Sequence, residues 1–98
     1  MKTRKCALFL FDGYADWEPA LAIAGLRNYG GFSITTFSAT SKAVTSMGGL
    51  NIIPEKVLNQ IEPAEFDLLM LPGGEVWEQG GNLEIIPLLQ VFVKADKS

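Results

Sequence analysis

Two short stretches of this chain leave almost no room for polar side chains: Lys5 to Phe11, KCALFLF, and Asp67 to Leu71, DLLML. A half-exposed strand alternates polar and apolar residues. A run that is apolar at successive positions suits a strand covered on both faces, as in a parallel sheet between layers of helices. Turn chemistry stops both runs, Asp12-Gly13 after the first and Pro72-Gly73-Gly74 after the second. A glycine pair directly after such a strand lets backbone amides face a ligand at the carboxyl end of the sheet.

The sequence between and after these runs supplies the covering layers. From Asp16 the pattern turns helical: Trp17, Leu21, Ala24 and Asn28 fall about one turn apart, Ala20 and Ile23 widen the apolar stripe, and Gly30-Gly31 provides the stop. Phe32 to Phe37, FSITTF, is β-branched and alternating, which predicts a second strand nearer an edge. AVTSMGGLNIIP reads as two short extended segments around Gly48-Gly49, a small hairpin. EKVLNQIEPAEF predicts a short helical turn broken at Pro63. Asn82 is placed to cap a final helix running to about Lys94, with Pro87 delaying its regular part and Leu88, Leu89, Val91, Phe92 and Val93 leaving little polar face.

Strands alternating with helices imply right-handed crossovers and a three-layer α/β sandwich in one domain, residues 1–98, with the first apolar run central and the sheet order second strand, first strand, last strand. The last strand then keeps one unpaired edge although its composition is that of an interior strand. Such an edge invites pairing with another chain. With 48% hydrophobic residues in so short a chain, the surface expects a cover, and a homodimer or other oligomer is the expected state.

Other functions are excluded by what is scarce. Eight basic residues against eleven acidic ones, net charge -3, offer no basic face for a nucleic acid. The amino-terminal apolar run is too short to span a membrane and has no cleavage pattern, so a cytoplasmic chain without membrane partners is expected. One cysteine and no histidine permit no internal disulfide, no Cys/His metal site and no Cys-His or Ser-His pair. The acids do not cluster as an oxygen-ligand loop requires, and the first strand-helix turn lacks a phosphate-cradling Ser/Thr/Gly cluster, so neither a metal nor a flavin or other cofactor is expected.

LFLFDGYADWE followed by a helix, the glycine excursion SMGGLNI, and FDLLMLPGGEVWE together resemble the amino-terminal half of the ThiJ/PfpI family, within the class I glutamine amidotransferase-like superfamily. The resemblance implies a flavodoxin-like fold, here incomplete, with a nucleophilic cysteine at a strand-to-helix elbow that follows soon after the PGG helix. It further implies an acid early in the first helix beside that cysteine and a glycine-pair amide that binds an oxyanion. Carried over by position, the acid is Glu18 and the amide donor Gly74, with Gly73 shaping the turn; apart from the resemblance, Tyr14 and Trp77 are aromatic candidates for touching a small-molecule substrate. The sequence ends at KADKS, about where the strand leading to the elbow is expected, so the nucleophile is expected to be absent from this chain.

Each of these residues also has a purely structural use. Glu18 and Asp16 suit the positive end of a helix, whereas a catalytic Glu18 that hydrogen-bonds a thiolate or tunes its acidity needs partial burial. Gly73 and Gly74 suit a tight turn needing positive φ. Trp17 and Trp77 suit a pocket mouth or a packed interior, Tyr14 a pocket or a partner, and Asp12-Gly13 a turn. Gly80-Gly81 ends a loop, because no lysine or hydroxyl follows in phosphate-loop spacing. Cys6, inside the first strand, is expected to be a core thiol whose burial raises its pKa. Two functions remain: part of a cysteine-dependent hydrolase, amidase or glyoxalase-type enzyme acting on small carbonyl or amide compounds, inactive as this chain alone, or a non-catalytic dimerisation or regulatory module.

Overall fold

The computed structural model describes residues 3–94. The first apolar run forms β1, Arg4–Phe9, and the chain then alternates through α1, Trp17–Tyr29, and β2, Phe32–Ser38. The glycine excursion is the antiparallel hairpin β3, Val44–Thr45, and β4, Asn51–Ile52, in which Val44 pairs with Ile52. There follow β5, Lys56–Val57, then β6, Leu68–Met70, the short helix α2, Glu75–Glu78, and α3, Ile86–Lys94. Four strands form one parallel sheet in the order β5-β2-β1-β6.

The order β2-β1-β6 and the central place of β1 match the sequence expectation, and both faces of β1 are covered. Leu8 and Leu10 share a groove with Pro19, Ala20 and Ile23 of α1. On the opposite side of the pleat, Phe9 and Phe11 meet the Trp77 ring of α2, at centroid distances of 6.4 and 5.5 Å. Cys6, Ala7 and Phe9 are wholly buried. Phe37, Ile85, Leu88 and Phe92 complete the core from β2 and the carboxyl-terminal elements.

Four expectations need correction. The EKVLNQIEPAEF stretch holds a strand, β5, and two 3-10 turns, Leu58–Gln60 and Pro63–Glu65, in place of one helical turn. β5 pairs only with the end of β2, Phe37 with Lys56 and Ser38 with Val57, so β2 lies at the edge over its first part and inside over its last. The expected apolar stripe of α1 is largely turned outward: Trp17 is 63% and Leu21 83% exposed, and of its members Ile23 packs against the core, beside Pro19, which the stripe did not include. The rotation of the helix is set by its entry, where the Ala15 N–H donates to the Gly73 carbonyl at 2.9 Å and Glu18 docks on Gly73. Asn82 does not cap α3: it sits in the left-handed region, φ 60°, ahead of a 3-10 turn, Leu83–Ile85, and its side chain makes no capping bond.

Three features of the outer surface agree with the sequence. Pro87 lies in the first turn of α3, where its missing N–H costs nothing. Leu88 and Phe92 bury one side of that helix, and Ile86, Leu89, Val91 and Val93 remain exposed. Among the described residues, the outer edge of β6 has no strand beside it.

Candidate functional site

The carboxyl ends of β1 and β6 lie side by side, Leu8 in register with Met70, so the loops that leave them emerge together. β1 leads through Asp12-Gly13 into α1, and β6 leads through Pro72-Gly73-Gly74 into α2. Glu18, in the first turn of α1, reaches the second loop, and its Oε1 accepts the Gly73 N–H at 2.7 Å. The early-helix acid and the glycine pair are therefore brought together. A shallow groove of about 250 Å³ runs beside them, lined by Glu18, Pro19, Ala22, Met70, Leu71 and Pro72. Glu18 itself stays exposed, so this chain does not supply the burial that a thiolate-directed carboxyl group needs.

The glycines are required here for space and not for positive φ. A Cβ on Gly73 would stand 2.8 Å from the Glu18 carboxylate, and one on Gly74 would stand 2.8 Å from the Phe11 ring and 3.1 Å from the Gly13 carbonyl. Gly74 is extended, φ 166°, and precedes α2. Its N–H has no acceptor among the described residues, whereas the Gly73 N–H is taken up by Glu18. Of the two amides, the one at Gly74 is available to a ligand.

The other candidates do not converge on this groove. Trp77 is half-buried, its indole N–H donates to the Pro72 carbonyl at 2.9 Å and its ring packs on Phe9 and Phe11, so it braces the loop from behind. Tyr14 is 4% exposed, edge-on to Phe11 at 6.3 Å, and borders the groove under α1 with Leu8 and Leu10. Burial first, and the Asp16 charge second, push its phenol pKa above the ordinary value. Trp17 is exposed at the start of α1. Cys6 is a buried free thiol, and desolvation raises its pKa to about 11, as a core cysteine requires.

The sequence reading missed a polar seam that holds the hairpin on the β1–α1 loop. Asp16 does not interact with its own helix end; its carboxylate accepts the Ser46 hydroxyl at 2.7 Å and the Gly48 N–H at 3.1 Å. The Ser46 hydroxyl bond, above all, holds the Asp16 pKa below the ordinary value. Asp12 accepts the Thr45 N–H at 2.9 Å, Gly13 N–H donates to Thr45, and Met47 N–H donates to Tyr14. Gly13 has φ +82°, which fits the turn expected there. A Cβ on Gly48 would stand 2.5 Å from the Asp16 carboxylate, so the glycine after Ser46-Met47 was the available signal of a close approach.

Among the described residues there is no group of three or more Cys, His, Asp or Glu side chains able to hold a metal ion, and no helix is long and apolar enough to cross a membrane. The DJ-1/PfpI family model matches residues 4–97. The chain belongs to the DJ-1/PfpI family. A DJ-1 superfamily protein from Agrobacterium tumefaciens, Atu0886, superimposes with a TM-score of 0.87 at 36% identity, over 97% of this chain and 50% of that one. The ThiJ/PfpI family protein from Bacillus anthracis gives a TM-score of 0.74 at 30% identity, over 97% of this chain and 47% of that one. Among curated proteins, one named "Uncharacterized protease YoaZ" from Bacillus subtilis (strain 168) is 32% identical over 84 residues, 79% of this chain and 40% of the relative. Another from the same strain, named "Uncharacterized protease YdeA", is 38% identical over 74% of this chain and 36% of its own length. The DJ-1/PfpI match thus extends along nearly all of the chain, while the chain spans about two-fifths of the length of these curated relatives.

Proposed function

We propose that these residues form the amino-terminal part of a DJ-1/PfpI enzyme, a cysteine-dependent hydrolase, amidase or glyoxalase-type protein acting on small carbonyl or amide compounds, and that the chain alone is inactive. The observation that carries this reading is the 2.7 Å bond from the Gly73 N–H to Glu18, which fixes a carboxylate beside a glycine pair at the ends of two neighbouring strands. A cysteine supplied outside the described residues would attack the substrate carbonyl. Glu18 would govern the proton of that thiol, and the unoccupied Gly74 N–H would take the developing oxyanion. Gly73 positions Glu18. Cys6 has no part in the chemistry, since it is buried and its thiol is pushed up to about 11. The family names of the Bacillus subtilis relatives favour a hydrolase over a purely regulatory module. A cytoplasmic location is part of the same reading.

The test is to express the complete reading frame that contains these 98 residues, beside the 98-residue chain, and to assay small amides, esters and 2-oxoaldehydes. The full product is expected to turn over at least one class, and Glu18→Gln is expected to lower kcat/KM by about 10²- to 10⁴-fold. Turnover by the short chain, or a Glu18→Gln enzyme as fast as the wild type, would overturn the proposal.

A further inference from the structure

The side of α1 turned away from the core carries a stripe of its own. Trp17, Leu21, Ala24 and Asn28 follow one another at spacings of four, three and four residues, so they line up along the helix opposite the packed Pro19 and Ile23. All four are exposed, Trp17 at 63% and Leu21 at 83%. No charge interrupts the stripe, since Asp16 and Arg27 lie along one flank of it and Glu18 and Tyr29 along the other. Its first half is large and its second half small. The exposed Trp17 indole N–H has no acceptor among the described residues, and the Asn28 amide nitrogen donates to the Ala24 carbonyl at 2.8 Å, which leaves the Asn28 oxygen to accept. Arg27, in the last turn, makes no ion pair among the described residues.

A contiguous apolar stripe on a helix whose other face is already packed marks an interaction surface, and this one is complementary to itself. In an antiparallel pair of α1 helices, with a two-fold axis passing between Ala22 and Ile23, Leu21 of each copy meets Ala24 of the other and Trp17 meets Asn28, large against small. The same axis sets Asp16, at the start of one helix, beside Arg27 at the end of the other, and it opposes the two helix dipoles. A parallel pair would press Trp17 on Trp17 and leave a gap at Ala24. We propose that α1 is the docking surface for a second copy of this chain in the antiparallel register, each Trp17 indole N–H donating to the Asn28 oxygen of the partner. The partner's Tyr29, 93% exposed in the single chain, then comes to the flank of Glu18, so the second copy adds to the surroundings of the candidate acid. A helix of 13 residues is about 20 Å long, a small interface, and the dimer is expected to dissociate in the micromolar range. The surface does not depend on the enzyme reading above.

Disulfide trapping tests the register. Chains carrying Trp17→Cys and chains carrying Asn28→Cys are mixed under oxidised glutathione; one Trp17–Asn28 contact stays intact in the mixed dimer. Along one helix these two positions are about 16 Å apart, whereas a disulfide needs Cα atoms within about 7 Å. The antiparallel register therefore links the two variants to each other and neither to itself. The wild-type chain, whose free Cys6 is buried, is the blank. The mixed dimer is expected to form about tenfold faster than either self-linked dimer. Leu21→Lys in both chains is expected to slow it by about tenfold or more, and Arg27→Glu, which sets like charges together, by about two- to fivefold. All four positions are exposed, so the variants keep the fold. Self-linked dimers as abundant as the mixed one, no mixed dimer above the blank, or a rate unchanged by either charge substitution would each overturn the proposal.

Discussion

At the residue scale the site rests on two glycines that are needed for different neighbours. An alanine at residue 73 would push its Cβ into a flexible carboxylate, and one at residue 74 into the Phe11 ring and a backbone carbonyl. Gly73→Ala is therefore expected to cost about 1–3 kcal/mol in urea denaturation, and much of that loss should vanish in a Glu18→Ala background, giving a coupling well above additivity. Gly74→Ala should cost at least as much and show no such rescue. Equal behaviour of the two in the cycle would refute the assignment. Cys6 gives a prediction with a defined pH window. Its native thiol titrates near 11 against an ordinary 9.0, so the unfolded chain releases this proton first and stability falls as pH rises from about 9 to about 11. Below that window the contribution is constant. The difference in unfolding free energy between wild type and Cys6→Ala, followed from pH 7 to 11, should be flat at first and then shrink; a flat difference throughout would mean the thiol is not desolvated. The burial of Cys6 was legible in the sequence, because it followed from a position inside an apolar strand; Glu18 and the glycine pair were singled out through the family resemblance, and the bond between Glu18 and Gly73 was not foreseen. The steric reason for the glycines was not legible either, since it depends on which side chain the fold brings against them.

At the element scale, the long apolar strands and the glycine-stopped helix α1 could be read from pattern alone, because Leu8, Phe9 and Leu10 have no polar alternative and Gly31 has φ +70° after the helix end. What could not be read was anything set by a tertiary anchor. β5 is two residues long and exists through its pairing with Phe37 and Ser38, and the outward turn of Trp17 and Leu21 follows from the docking of Ala15 and Glu18 on Gly73. The hairpin β3–β4 depends in the same way on Asp12 and Asp16. Since hydrogen bonding holds the Asp16 pKa below its ordinary value, the stabilisation it gives is present above the pKa of the unfolded carboxyl group and is lost as pH falls through the lower native value. Asp16→Asn is expected to remove that acid-side loss and to speed amide exchange at Gly48 at neutral pH, while leaving the β1 amides protected. Unaltered exchange at Gly48 would show that the hairpin is held by its backbone bonds alone.

At the scale of the whole molecule, a Cα radius of gyration of 13.0 Å is about what a folded chain of this length should have, so the fold closes on itself even though, among the described residues, the sheet ends in open edges at β5 and β6. The β6 edge carries Leu68, Leu69 and Met70 and has no strand beyond it among the described residues. Ile86, Leu89 and Val93 of α3 line a separate open apolar surface of this chain. Interior-type strands at an open edge, and apolar helix faces without a cover, both favour association. The isolated 98-residue chain is accordingly expected to self-associate, with light scattering after size exclusion giving a mass above 10.7 kDa that rises with concentration. Leu89→Lys and Val93→Lys test the helix face, and Met70→Lys the strand edge. A charge at the surface that mediates association should weaken it by about tenfold or more, whereas a charge on the other should leave it nearly unchanged. If the complete DJ-1/PfpI protein covers these same surfaces with its remaining residues, the lysine variants that free the short chain from association should instead destabilise the long one. A short chain that stays at its monomer mass across the concentration range, or lysine variants equally silent in both lengths, would mean that neither the β6 edge nor the α3 face is where this fold seeks its cover.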